Sequence, residues 1–308
     1  MRNALLVWLL AGSLPLAAPQ ASPPRVDADR VFRDVEVLAA DDMQGRLAGS
    51  PGGEKARGYI AGRLKAIGVE PIGSSYERPF TFSTRGASNQ KGTNLVGVIK
   101  GSRSPDRYIV ATAHYDHLGV RNGEVFNGAD DNASGVAARL AVAGHFAATV
   151  PEHSILIAAL DAEEEGLRGA RALMSDPPVP ASSMIVNVNM DMVGRDPGNK
   201  LFAVGISHFP FLKPYLATVA QPPVVLAYGH DTPAEKEDWT RDSDHFVFGE
   251  AGIPWVYFGV EDFDQHHKAT DDSATIGKTF LAGVAATTIA AIHEFDVNLE
   301  QIAAQRKR

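Results

Sequence analysis

The 308-residue chain has no cysteine. Disulfides, thiolate metal sites and lipid attachment through an N-terminal cysteine are thereby excluded. It also lacks any long polybasic run: 29 Lys and Arg stand against 37 Asp and Glu, for a formal net charge of -8. That sign argues against nucleic acid and anionic membrane as partners. Long apolar runs are scarce. The one near the start, "ALLVWLLAGSLPLAA", follows Arg2 and is broken by Gly12 and Pro15. It is too short and interrupted for a good membrane span, and small residues follow it. Residues 1–21 therefore read as an export signal, cleaved after Ala18 or Ala21. The mature chain, 22–308, is expected to be periplasmic or secreted, with no stable membrane insertion. Without disulfides it must be held by its core, which a chain with 44% hydrophobic residues can build.

What is present is an alternation of element types. "VDADRVFRDVEVLAA" has helical spacing with Asp27 as its N-cap, and "SPGGEKARGYIAGRLKAIGV" reads as a second helix, started by Ser50 and Pro51 and stopped by Gly68. Strands are predicted at "RPFTFST", "TNLVGVIKG", "RYIVATAHYDH", "HSILIAAL", "SMIVNVNM", "KLFAVGI", "PPVVLAYG" and "IPWVYFG". Helices are predicted at "ASGVAARLAVAGHFAA", "GLRGARALMS", "FPFLKPYLATVA", "SDHFVFGEAG" and "GKTFLAGVAATTIAAIHEF". No repeat or low-complexity segment interrupts them. The expectation is a single α/β domain, with a central, mostly parallel mixed sheet between helices. Functional groups then belong at the carboxyl ends of the strands.

Polar clusters fall at those ends. Three apolar runs finish in "AHYDH", "DAEEEG" and "NMDMVG". "FNGADDNASG" precedes a helix, and "HHKATDD" follows the last predicted strand. Adjacent Asp130 and Asp131 repel each other, no Lys or Arg lies within their segment, and a metal ion is the first candidate to compensate them. Each cluster alone is ordinary, since carboxylates often cap helices; five converging on one sheet edge are not. Imidazole and carboxylate without thiolate suit zinc, and two neighbouring ions need a bridging carboxylate. Spacing alone leaves open which of Glu163, Glu164 and Glu165 points inward.

The order "AHYDH … GADDNASG … DAEEEGLRG … NMDMVG … HHKATDD" resembles the secreted co-catalytic zinc aminopeptidases, and more distantly glutamate carboxypeptidase II and the glutaminyl cyclases. "DDMQGRLAGSPGGEKARGYIAGRLKAIGVEP" is similar to the N-terminal segment of bacterial members, and the match runs from about Val31 to about Thr275. The resemblance implies two zinc ions and a peptide substrate with a free N-terminus. It implies that His114 and Asp191 bind one zinc, Glu164 and His267 the other, and Asp131 bridges them. It makes Glu163 the general base and then acid, has Asp116 orient His114, and has Asp271 support His267. One position departs: some relatives carry an oxyanion-stabilising tyrosine where this chain has His266, whose N–H could serve instead. Tyr228 and Tyr257 are other candidates for that role.

The same segment of relatives suggests that Ser243 and Asp244 shape the substrate pocket, which Trp239, Phe246 and Phe263 could line. His145, His153, His208, His230 and His293 are read as surface or helix-packing residues. Other chemistries on this scaffold remain open: a carboxypeptidase, for which Arg195 or Arg241 could meet the substrate carboxylate, or a glutaminyl cyclase. A non-catalytic binding module should have lost ligands, yet every motif position is filled.

Overall fold

The computed structural model describes residues 24–84 and 86–306; the expected export signal lies outside them. The chain opens with two helices, α1 (Ala28–Leu38) and α2 (Pro51–Ile67). Their ends are set locally. Asp27 accepts from Arg30 N, Ser50 accepts from Gly53 N, and Gly68 takes the left-handed conformation at φ 92°. Between them, the turn Asp41–Arg46 passes through positive φ at Gln44, Gly45 and Arg46. Gly45 sits so close to the main chain that a Cβ would fall 2.4 Å from the Phe126 carbonyl oxygen.

The strands follow: β1 (Glu70–Pro71), β2 (Glu77–Phe82), β3 (Gln90–Ile99), β4 (Ser104–His114), a small hairpin β5 (Gly119–Arg121) and β6 (Glu124–Phe126), β7 (His153–Leu160), β8 (Met184–Met190), β9 (Lys200–Val204), β10 (Val225–Tyr228) and β11 (Trp255–Gly259). All but the hairpin form one sheet in the order β1-β3-β7-β4-β8-β11-β9-β10, with β2 also paired to β3. The central β7, β4, β8 and β11 run parallel, whereas β3 and β9 join them antiparallel. The sheet is therefore mixed: the four strands that carry the polar clusters are mutually parallel, and β10 pairs parallel with β9 at the far edge.

Alternation along the central strands builds two cores. Ile109, Ala111 and Ala113 of β4 face one side with Ile155, Ile157 and Ala159 of β7. There they meet α1, α2, α3 (Gly135–Thr149) and the long α7 (Lys278–Val297). Val110, Leu156, Ala158 and Leu160 face the other side, against α4 (Arg168–Ser175) and α6 (His245–Glu250). Although α7 is long and apolar enough to cross a membrane, most of it is buried in the first core.

Several elements differ from expectation, among them β1 and the β5–β6 hairpin, which were not expected. "FPFLKPYLATVA" forms only a short turn and α5 (Lys213–Leu216), because Pro214 has no N–H with which to carry the helix on from Pro210. The terminal α8 (Leu299–Arg306) was not expected; it packs Leu299 and Ile302 into the first core.

Candidate metal centre

Parallel β4, β7, β8 and β11 end on the same edge, so His114, Glu163, Glu164, Asp191 and the 260–272 loop arrive together. The irregular turn Ala129–Ser134 brings Asp131 into their midst. His114 Nε2 lies 3.1 Å from Asp191 Oδ1 and 3.4 Å from Asp131 Oδ1. His267 Nε2 lies 2.9 Å from Glu164 Oε2 and 3.3 Å from Asp131 Oδ2. The two carboxylate oxygens of Asp131 thus face two different histidines. All five donors expected from the sequence converge, and Asp131 is the one they share.

Strain marks the edge. Ala162 before Glu163, Met192 after Asp191, and His267 itself all hold positive φ. Such conformations cost about 1–3 kcal/mol each and persist where surrounding structure demands them.

The supporting groups differ in part from expectation. The Asp116 carboxylate accepts from the main-chain N–H groups of Glu163 at 3.0 Å and Glu164 at 3.3 Å. His114 Nδ1 instead approaches the Asp116 carbonyl at 3.3 Å, with the carboxylate at 3.6 Å. Asp116 therefore supports His114 chiefly through its main chain and fixes the Glu163–Glu164 turn with its side chain. Asp271 supports the Asp131 turn rather than His267: it accepts from Asp130 N at 2.9 Å and Asp131 N at 3.1 Å, and from Arg195 Nη2 at 3.0 Å. Asp130 turns away from the cluster and accepts from Gly194 N at 2.6 Å.

A carbonyl can only accept, so His114 Nδ1 carries the hydrogen and bare Nε2 faces two carboxylates. That arrangement calls for a positive charge between them. The electrostatics agree. Although burial opposes it, Asp191 and Glu163 raise His114 well above its ordinary value. Hydrogen bonds to Asp131 and Glu164 push His267 up to about 10. Burial raises Glu163, with Asp244, Asp191 and Glu164 adding to the shift and His114 opposing it. The donor set is neutral imidazole and carboxylate, without thiolate, and it fits zinc.

Glu163 and Glu164 both line a cavity of about 390 Å³ beside the cluster, with Trp239, Asp242, Tyr257, Phe263, His266 and His267. Glu165 does not line it, which sets it apart from the other two. His266 stands at the mouth, its Nε2 3.7 Å from Asp131 Oδ2. Phe246 lies elsewhere, under the Arg241 guanidinium. Ser243 and Asp244 are buried and do not line the cavity; Ser243 accepts from Asn189 Nδ2 at 2.8 Å. Tyr228 is exposed and does not line it either.

Three features were missed or misread in the sequence. His117, the second histidine of "AHYDH", is buried with Nδ1 2.7 Å from Glu164 Oε1. Burial pushes it down to about 4. Arg46 is fully buried and donates to the carbonyls of Leu38, Tyr115, Asn127 and Gly128 at 2.6–2.8 Å. His153, read as a surface or packing residue, is buried and paired with Asp296 at 3.0 Å.

Solved structures share the fold. An aminopeptidase from Aneurinibacillus sp. strain AM-1 superposes with TM-score 0.72 at 18% identity, covering 87% of this chain and 94% of that one. A glutaminyl cyclase from Porphyromonas gingivalis does so with TM-score 0.72 at 18% identity, covering 87% and 98%. In sequence, a probable zinc metalloprotease of Pyrenophora teres f. teres is 31% identical over 202 residues, 57% of this chain and 40% of the relative. The chain spans about half, or less, of the length of the first curated relatives it matches. The family model of peptidase family M28 matches residues 94–292, from the middle of β3 into α7 and across every element that supplies the cluster, and the chain belongs to that family.

Proposed function

We propose that the protein is an exported, zinc-dependent aminopeptidase that removes the N-terminal residue of peptides at a site for two zinc ions. The observation that carries this reading is the charge of the cavity. Beyond Glu163, the carboxylates that zinc would neutralise and Asp262, which is paired with Arg195, it is lined by Glu237 and Asp242, and among the described residues no Lys or Arg lines it. Such a field attracts the α-ammonium of a free N-terminus and repels a C-terminal carboxylate. Arg195, the cation that a carboxypeptidase reading would use, is instead taken up by Asp262, Asp271 and Thr275. Arg241 does not line the cavity. The fungal relatives are named as probable zinc metalloproteases and the Aneurinibacillus protein as an aminopeptidase, which supports the zinc-peptidase part of the reading and is consistent with the rest.

His114 and Asp191 would hold one zinc, Glu164 and His267 the other, and Asp131 would join both. When bound, zinc supplies Lewis acidity toward the scissile carbonyl and lowers the pKa of the attacking water. Glu163 takes the proton from that water and passes it to the leaving amine. Burial raises its pKa, the direction that helps a carboxylate accept the proton it later returns. His266, half-exposed at the mouth, is placed to donate to the developing oxyanion, with Tyr257 lining the same cavity. Trp239 and Phe263 offer apolar surface to the first side chain.

Product analysis tests this. With a peptide and its N-acetylated form, only the free peptide should be shortened, from its amino end. Cleavage of the blocked peptide at its carboxyl end would overturn the reading. Conversion of an N-terminal glutamine to pyroglutamate without peptide-bond hydrolysis would do so in favour of a cyclase.

A further inference from the structure

His117 belongs to the cluster yet has no place in the five-donor set. Its ring is buried, with Nδ1 2.7 Å from Glu164 Oε1 and 3.5 Å from Asp131 Oδ2. Nε2 is buried and has no hydrogen-bond partner among the described residues. Two carboxylates therefore face the same ring nitrogen, which is tolerable for an N–H and repulsive for a bare lone pair. The proton belongs on Nδ1, and bare Nε2 points to the side where no donor stands.

The two oxygens of Glu164 then have different partners. Oε1 accepts from His117, while Oε2 lies 2.9 Å from His267 Nε2 and turns toward Asp131. The 2.7 Å separation of His117 Nδ1 and Glu164 Oε1 is that of a hydrogen bond. The ring is also pinned from behind: a Cβ at Gly128 would fall 2.5 Å from His117 Cγ and Cδ2. The Gly128 carbonyl is itself held by Arg46 Nη2 at 2.8 Å.

We propose that His117 is a positioning residue for Glu164: its Nδ1–H holds Oε1, leaving Oε2 alone to face the metal shared with His267 and Asp131. The inference rests on the reading of Glu164 as a zinc ligand. It places selectivity between the two metal positions in a residue that binds neither ion. Loss of a partner that orients a ligand typically lowers metal affinity about 10–100-fold. The loss here should fall on the Glu164–His267 position and spare the His114–Asp191 position.

The test is zinc titration of the full chain against a competing chelator, with cobalt substitution to follow each position by its visible absorption. The variants are His117→Leu, His117→Asn and His117→Gln. Asparagine places an N–H near the Nδ1 position and glutamine near that of Nε2. Expected are a loss of about 10–100-fold at one position in His117→Leu, unchanged affinity at the other, and recovery to near wild type in His117→Asn but not in His117→Gln. Equal affinities in wild type and His117→Leu would overturn the proposal. So would His117→Asn no better than His117→Gln, which would mark the imidazole itself as a ligand; that comparison stands even if the leucine variant does not fold. A wild type that takes up no zinc would instead remove the functional reading, and this inference with it.

Discussion

Replacing Arg46 with methionine keeps an unbranched stem and removes the guanidinium, its charge and all its donors. Four main-chain carbonyls lose a partner that now stands at 2.6–2.8 Å: Leu38, Tyr115, Asn127 and Gly128. Each carbonyl left unpaired in the interior costs about 1–3 kcal/mol, although some of this returns through water and local shifts. The guanidinium also lies beneath Asp131, Asp271, Asp116 and Glu164, whose charges raise its pKa while burial lowers it to about 10 overall. Removing one partner from a buried charged network costs about 3–5 kcal/mol, which sets the expected loss. In a chain of this size that is a fall in Tm of roughly 6–20 °C. Calorimetry or urea unfolding of wild type, Arg46→Met and Arg46→Lys would measure it. Lysine restores the charge but cannot reach four carbonyls, so it should recover only part of the loss. A methionine variant that melts within about 2 °C of wild type would refute the reasoning that this arginine ties the metal loops together.

Arg139 should behave in the opposite way. It is fully buried in α3, none of its guanidinium nitrogens has a partner among the described residues, and burial alone lowers it to about 9. Arg139→Met is expected to raise stability by about 1–4 kcal/mol in urea unfolding, whereas a loss would show a partner that the structure does not contain. His245 is buried neutral, with burial lowering it to about 3 and its Nε2 donating to the carbonyls of Trp239 and Thr240. Its folded pKa lies below its unfolded value near 6.5, so the unfolded chain takes up the proton first. Stability should therefore fall as pH drops from about 6.5 toward 3, and His245→Gln should flatten that slope in pH-dependent melts. His266→Ala should lower kcat about 100–1000-fold with little change in zinc content, the range seen when an oxyanion donor is removed. An unchanged kcat would transfer that role to Tyr257.

The parts of the fold readable from the sequence were those decided locally. Ser50, Pro51 and Gly68 set the ends of α2 through bonds within a few residues. The continuous apolar runs of β4 and β7 marked them as buried strands, while the face each residue takes came from the structure. The five expected donors were legible through the motif order that resembles the zinc aminopeptidases, and strand ends on one edge explain how such clusters can meet. What was not legible depends on distant partners. His117 acquires its role from Glu164, 47 positions later, and Arg46 from Gly128, 82 positions later. Asp116 and Asp271 were recognised as supports, but main-chain N–H groups have no sequence signature, so their true partners could not be read. The division among Glu163, Glu164 and Glu165 needed the left-handed turn at Ala162, a conformation that alanine does not announce.

The central claim is that this cluster holds two zinc ions and that Glu163 moves the proton. Its most direct test is zinc content together with release of the N-terminal residue, in wild type and in Glu163→Gln. The account predicts two zinc ions in both proteins, turnover in the wild type, and loss of at least about 100-fold in the variant. A variant that retains turnover, or a wild type that is active with its zinc removed, would contradict it.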